Sequence, residues 1–460
     1  MATLAITQNL SQSKLFLSKF GLFLGCLASF LLLSKLGSIA LALSFVLAVF
    51  FFFIWRDELW RLVLLALPLI TLGKVIFLEI KPGLSYEMTL TEAVLLFALV
   101  VFLIDRTVSN TWKEVIVDWI TLALFGTLIL AASSYQVGMS ATSYIYVIKI
   151  LSFSCLAYFL SRNLINSAKR VSAFYWSIAA TILIIAGEIA YKFFQLGITQ
   201  KFFTDRKSVV LPVAPIATTA AIMVSLTLLL TSYYLWRHQL TRKSFLWLGV
   251  IIIALAAIFL SLGKAALISL GIGMVFLFFK IRERRTALML AGLAAAVTVA
   301  LMFSPVAVVL WERVANTFND ANTQYRVLEY KTSWKILQQH WQFGVGAGQQ
   351  MEHFKKMLGY DQSDLLNNFI LQAAVDLGVL GVAMVTLLMA SVLGQAVYTR
   401  RRSPGERWLG YGVIAMVMAA FVNGLVEVTF LALPYALVFW LSLGALINIS
   451  AYEKSISSNN

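Results

Sequence analysis

Residues Phe245–Leu262 read FLWLGVIIIALAAIFLSL, and Gly263 and Lys264 follow. Ala265–Phe279 then read AALISLGIGMVFLFF, before the basic run KIRERR at Lys280–Arg285. A helix of about 20 apolar residues crosses the ~30 Å hydrocarbon core of a bilayer. Two uncharged runs of nearly that length, joined by two residues and closed by a cationic cluster, therefore read as a helical hairpin that enters and leaves a membrane. The same unit recurs along the chain. Apolar runs occupy Phe20–Leu36, Ser38–Trp55, Trp60–Glu79, Met88–Ile104, Ile116–Ser133, Ser143–Leu160, Val171–Phe193, Pro212–Trp236 and Thr286–Leu310. Three more follow a long polar stretch, at Leu377–Val397, Trp408–Leu425 and Thr429–Ile449. The first two runs are barely separated, so the expectation is an all-α polytopic transmembrane bundle of 12–14 spans.

Composition agrees. The 460 residues are 60% hydrophobic and 12% charged, with a mean hydropathy of +0.86. An ordinary soluble domain is about 45–50% apolar and about 25% charged. That excludes a compact soluble fold and a disordered chain alike. The net charge of +15 is a matter of location. Four short connections carry the surplus: Arg162 to Arg170, Arg237 to Lys243, Lys280 to Arg285 and Arg400 to Arg407. They hold fourteen Lys and Arg against Glu283 and Glu406. An even number of runs separates each from the next, so all four share one face, and the positive-inside bias makes that face cytoplasmic with both termini. The basic surplus then reports topology, and no nucleic-acid partner is implied. Cys26 and Cys155 both lie in apolar runs and suggest neither a disulfide framework nor a zinc site.

The same count puts Phe194–Leu211, the Gly263-Lys264 turn and Trp311–Leu366 on the opposite face. Residues 1–310 are then an N-terminal transmembrane bundle, 311–366 an extracytoplasmic loop and 367–460 the C-terminal transmembrane helices, together one membrane domain. The loop is the long hydrophilic insertion of the chain, with six Lys and Arg balanced by six Asp and Glu. Insertions of this size are usually functional or disordered. Trp334, Trp341, Phe343, Phe354 and Tyr360 argue for order. Val327, Leu328, Trp334, Leu337 and Trp341 recur at near-helical spacing. A helix across the outer mouth is expected, ended by a flexible turn at Gly344-Val345-Gly346-Ala347-Gly348.

Charged residues inside membrane helices are functional candidates by default. Lys74, Glu92, Lys149 and Glu188 qualify, with packing pairs as the plain alternative. Lys192 lies one turn after Glu188 and would satisfy it, whereas Lys149 has no such neighbour. On the outer face Arg206, Lys207, Lys264 and Arg326 are cations distant in sequence. Converging, they would suit an anion such as a lipid diphosphate, through charge-assisted hydrogen bonds. The glycine-rich turn lacks the preceding strand and the Gly-Lys-Ser ending of a phosphate loop. His238, His340 and His353 are too scattered for a metal site, though His340 and His353 remain candidate acid–base groups.

The stretch Tyr325-Arg326, Trp334, His340-Trp341-Gln342-Phe343-Gly344-Val345-Gly346-Ala347-Gly348 resembles the outer-loop signature of the O-antigen ligase and polymerase superfamily. Leu366-Asn367-Asn368-Phe369 running to Gly378-Val379-Leu380-Gly381 resembles its next element, and Ser261-Leu262-Gly263-Lys264 its outer turn. The resemblance covers roughly Phe245 to Ile449. It implies a bacterial inner-membrane glycosyltransferase of the GT-C type, without cofactor or metal, that moves a glycan from a polyprenyl-diphosphate carrier to a glycan or lipid acceptor at the outer face. On that reading Arg326, with Arg206, Lys207 and Lys264, stabilises the diphosphate, and Asn367, Asn368, Asp364 and Glu427 face the acceptor.

Two departures stand out. Lys264 replaces an Arg of the family turn and loses the bidentate fork. Asn367 replaces a His, and an amide cannot take a proton at neutral pH. Either another group (His353, Asp364 or Glu427) is the base, or Asn367 orients a hydroxyl, or the chain has left catalysis. The departure favours a polymerase or polysaccharide transferase over a lipopolysaccharide ligase. A small-anion or lipid transporter is the alternative, suggested by Pro68, Pro212, Pro215 and Pro434 in or beside helices; it requires charges that converge near the bilayer midplane.

Overall fold

The computed structural model describes residues 58–72, 74–81, 84–135, 141–196, 214–237, 242–261, 263–281, 321–358, 365–402 and 407–447. The expected runs at Phe20–Leu36, Ser38–Trp55 and Thr286–Leu310 lie outside them. Thirteen α-helices are present among the described residues. They are α1 (Trp60–Leu69), α2 (Leu90–Val108), α3 (Trp119–Ser133), α4 (Ala141–Leu164), α5 (Ala168–Leu196), α6 (Ile216–Arg237) and α7 (Arg242–Ser261). Then follow α8 (Lys264–Lys280), α9 (Ala321–His340), α10 (Gln350–Leu358), α11 (Phe369–Arg402), α12 (Arg407–Gly424) and α13 (Leu433–Ile447). Apart from one hairpin among the described residues, the chain is an all-α polytopic membrane protein, as its hydropathy requires. Four helices, α4, α5, α6 and α11, contain stretches long and apolar enough to cross a bilayer unaided.

The exception corrects the sequence reading. The run Trp60–Glu79 is not one helix: α1 ends at Leu69, just after Pro68, and passes through a short 3-10 turn. Strands β1 (Lys74–Lys81) and β2 (Leu84–Thr89) then pair antiparallel, with Lys74 opposite Thr89 and Phe77 opposite Glu87. Proline removes an amide donor and disfavours a helical residue before it. The sequence after it, Val75-Ile76-Phe77, is rich in β-formers.

Helix α6 is the hub, buried almost all round, as expected of a helix apolar on every face. Two of its hydroxyls turn back on their own backbone: Thr227 donates to the Met223 carbonyl at 2.6 Å and Ser232 to Leu229 at 2.7 Å. These two are thereby satisfied against the apolar neighbours. Helices α5, α7, α8, α12 and α13 pack on α6, and α13 also packs along α4. The C-terminal helices are thus threaded into the N-terminal bundle. At the basic end, Asp118 caps α3 and accepts from Tyr158 at 2.6 Å and Arg162 at 3.1 Å. An apolar cleft of about 370 Å³ opens between α2, α3 and α4, lined by Leu99, Leu103, Phe125, Leu128 and Phe159 among others.

At the opposite end the glycine-rich turn is docked, not flexible as its composition suggested. Val345 and Gly346 donate to the Val375 and Asp376 carbonyls at 2.9 and 2.8 Å, and Ala347 donates to Ser134 Oγ at 2.9 Å. Helix α11 breaks at Gly378 (φ 64°, ψ −149°), and the next amide, Val379, donates to the Trp341 carbonyl at 2.9 Å. Gly344 (φ 70°) and Gly378 face each other's chains: a Cβ on either would come closer than 3.0 Å to the opposing backbone. Only glycine tolerates that approach in that conformation.

Gly344→Ala and Gly378→Ala should each lower the thermal midpoint of the detergent-purified protein. The left-handed backbone alone costs about 1–3 kcal/mol. Gly249→Ala, on α7 with nothing within 4 Å of its Cβ position, should leave the midpoint unchanged or raise it slightly. Equal midpoints for all three would show that the joint is loose.

Candidate functional site

Helix α9 buries one face, Glu329, Thr332, Ser333 and Ile336, and exposes Val327, Tyr330, Lys331, Trp334 and Lys335. Ile336 packs with Phe354 of α10 and with Val345, Leu366 and Val375. That small apolar cluster sets α9 beside the start of α11. The chain enters α11 through Leu366, whose amide donates to Gln372 Oε1 at 2.7 Å, while Gln372 Nε2 donates to Asp376 at 2.8 Å. Asn368 caps the helix, its Oδ1 accepting from Ile370 and Leu371 at 3.0 Å each. Such a cap is worth about 1 kcal/mol. The role of cap thus falls to Asn368, and Asn367 is spared it.

Asn367 instead donates from Nδ2 to Glu329 Oε2 at 2.9 Å. One turn before Glu329, Arg326 Nη2 meets Glu427 Oε1 at 2.8 Å. Glu427 sits in the tight turn between α12 and α13, where its amide donates to the Asn423 carbonyl at 2.9 Å. Tyr330 OH donates to Leu425 in the same turn at 3.1 Å. Beneath this cluster an aromatic floor joins Phe369, Phe421 and Phe430, with Phe369 and Phe430 centroids 5.0 Å apart. The Arg326–Glu427 pair is roughly a quarter exposed, whereas Glu329 is 1% exposed.

The structure thus brings together Arg326, Asn367 and Glu427, with Asn368 adjacent. Lys264 opens α8 at the same end of the bundle; five residues on, Ser269 contacts Asn423 of α12 at 3.4 Å. His353 stands apart. Its ring lies 5.5 Å from that of His340, and His340 is eleven residues along α9 from Glu329, about 16 Å at 1.5 Å per residue. Arg206, Lys207 and Asp364 lie outside the described residues. Sequence reasoning missed Glu329, although its spacing from Arg326 puts both on one helix face. Among the described residues no three His, Cys, Asp or Glu side chains gather as metal ligands.

Two readings change. Lys149, which had no partner in its own helix, pairs with buried Glu92 of α2 at 2.8 Å. Glu92 also closes the capping box with Thr89. The expected Glu188–Lys192 pair is absent among the described residues: Lys192 donates to Gln195 at 3.2 Å. The amides of the glycine turn are taken by Val375, Asp376 and Ser134, so the turn is a joint and not an anion cradle.

A family model described as O-Antigen ligase matches residues 249–386. Over these residues the chain is similar to the O-antigen ligase family. The matched segment runs from α7 to the middle of α11 and contains Lys264, Arg326, Glu329, His353, Asn367 and Asn368. No curated protein matches the chain. The loop helix, the glycine joint and the Asn367 segment form one assembly within the matched residues, and Glu427, beyond them, completes it.

Burial, with help from His340 and Lys356, holds the His353 pKa below the ordinary 6.5, against a smaller opposing effect of Glu352. The unfolded chain therefore takes up this proton first as pH falls, and the folded state loses stability below about pH 6.5. Thermal midpoints measured from about pH 7.5 to 5 should fall less steeply in His353→Gln than in the parent. Identical slopes would show that His353 is not held neutral.

Proposed function

We propose that the chain is a membrane glycosyltransferase that transfers or polymerises a glycan from a polyprenyl-diphosphate carrier at the outer face of a bacterial inner membrane. The meeting of Arg326 from α9, Asn367 from the α11 entry and Glu427 from the α12–α13 turn carries this reading. These are groups of two complementary kinds at one end of a membrane bundle. A guanidinium has five N–H donors, and the Glu427 contact uses one of its nitrogens. The remaining donors suit diphosphate oxygens. As the acceptor oxygen attacks the anomeric carbon, the bond to the carrier breaks and negative charge grows on the diphosphate, where Arg326 offsets it. Lys264, Arg206 and Lys207 are the further cations of this reading.

Asn367, beside Asn368, stands for the acceptor side. A diphosphate held by cations leaves readily, so the step needs less help from a base, which ordinarily contributes about 10²–10⁴-fold. The product is then a polymer or a glycan added to a polysaccharide acceptor, in preference to a ligated lipid core. The transporter reading requires charges that converge near the midplane, whereas Lys149 pairs with Glu92.

Arg326→Ala, expressed in a strain deleted for the gene, should lower polymer or transferred product about 10²–10³-fold. Carrier-linked glycan should accumulate while protein level holds. Arg326→Lys should restore part of the product, since charge returns without the fork. Unchanged product in Arg326→Ala would remove the residue from the mechanism.

Orientation is tested by labelling. In a background with Cys26 and Cys155 replaced, a cysteine at exposed Gln338 of α9 should react with a membrane-impermeant thiol reagent in intact cells. One at exposed Arg407, at the basic end, should react only after lysis. The reverse pattern would overturn both the orientation and the outer-face reading.

A further inference from the structure

Glu329 has no place in the mechanism so far, yet it is a carboxylate buried to 1% exposure against the one side chain whose chemistry is in question. Taking a carboxylate out of water is expensive unless it is met by hydrogen bonds or charge. A glutamine could accept the same hydrogen bond from Asn367 without that desolvation. What the acid does fix is a direction. The Asn367 amide presents Nδ2 to Glu329 Oε2, and Oδ1, on the other arm of the planar amide, is left for another donor. Asn368 caps α11, which leaves Asn367 no competing local role. Arg326, three residues before Glu329 on the same helix, is anchored to Glu427. The anion-binding group and the amide are thereby tied to one rigid rod.

We propose that Glu329 is the positioning residue for the acceptor hydroxyl, acting through Asn367, whose Oδ1 it aims to accept the hydroxyl hydrogen bond. The assignment rests on the transfer reaction proposed above. In that reaction the hydroxyl oxygen bonds to the anomeric carbon and the bond from that carbon to the carrier diphosphate breaks, its electron pair leaving on the diphosphate. The hydroxyl proton passes to water or to a departing diphosphate oxygen. Asn367 holds the hydroxyl and never takes the proton.

The geometry makes a sharper statement about a residue that is not there. An imidazole at 367 can donate one ring N–H to Glu329 and take the hydroxyl proton on the other nitrogen, the arrangement of a carboxylate–histidine pair. Glu329 would raise the basicity of that ring by stabilising its cation. Asn367→His is therefore expected to gain activity only where Glu329 is present, and the pH dependence of the gain reports on Glu329 directly.

The test uses full-length variants purified in detergent. The donor and acceptor are the carrier-linked glycan extracted from the gene-deleted strain. Glu329→Ala should slow transfer about 10- to 100-fold, the loss of one charge-assisted hydrogen bond. Glu329→Gln should recover most of that, since its amide oxygen accepts from Asn367. Asn367→His should be faster than the parent by about 10-fold or more. Its rate should rise with pH through an inflection that moves to lower pH when Glu329→Gln is added, and its advantage should vanish in combination with Glu329→Ala.

An Asn367→His gain of equal size and pH profile with and without Glu329 overturns the assignment, as does full activity in Glu329→Ala. If Glu329→Ala fails to fold, the comparison of Asn367→His with Asn367→His/Glu329→Gln decides the matter alone. An active parent whose Glu329 variants behave like it removes Glu329 and leaves the transferase reading standing. A parent that transfers nothing, while carrier-linked glycan does not accumulate in the deleted strain, sinks both.

Discussion

Everything at the loop end of this protein hangs on the contact between two backbones at Gly344 and Gly378. Neither glycine has a side chain to pack, and both adopt positive φ. Their contribution is to let the chain after α9 and the kink in α11 approach within hydrogen-bonding distance. Once there, Val345, Gly346 and Val379 close three backbone bonds across the joint. A wider separation would leave these amides and carbonyls unpaired in a largely buried place, and each unpaired buried group costs about 1–3 kcal/mol. The joint is therefore close to all-or-none. It fixes one end of α9, and the Arg326–Glu427 and Tyr330–Leu425 contacts fix the other.

Held at both ends, α9 runs alongside the first half of α11. Glu329 meets Asn367 near the beginning, and Trp341 meets Val379 near the end. The two contacts share the same offset in sequence, as two parallel rods in register require. Precision at Asn367 thus comes from a joint several turns away. A polar site on a free loop would pay side-chain and backbone entropy at each binding event, whereas one on docked helices has already met that cost in folding.

How much of this the sequence discloses follows from how local each cause is. Hydropathy is local, so most described membrane helices between Met88 and Ile449 fall within a few residues of their apolar runs, although α11 begins at Phe369, eight residues before its run at Leu377. The loop helix was legible from the spacing of Leu337 and its neighbours, and Arg326 from its place in the loop signature. Lys149 was opaque, because its partner Glu92 lies 57 positions away on another helix. The hairpin after Pro68 was hidden for another reason: an apolar run rich in Val, Ile and Phe satisfies a strand and a buried helix equally by periodicity. Glu329 escaped notice as one of several charges on a polar helix, and only the fold reveals that it faces inward. The glycine turn was read as a break in α9, which it is, but its packing partner at Gly378 is non-local.

On the transferase reading proposed above, the charge arrangement would let such a site rest beside a membrane without substrate. A lone guanidinium at the mouth would attract any anion, lipid headgroups included. Paired with Glu427, it is neutralised in place, and an incoming anion must outcompete a carboxylate already at 2.8 Å. A single phosphate charge competes poorly on those terms. A diphosphate, with more oxygens and more charge, can engage several guanidinium nitrogens and neighbouring cations together. On that reading Glu427 would act as a filter for Arg326, with Glu329 too deeply buried to compete for the same cation from the solvent side. On the proposed transferase reading, Glu427 and Glu329 would divide two tasks, one setting which anion binds and the other where the acceptor's hydroxyl points.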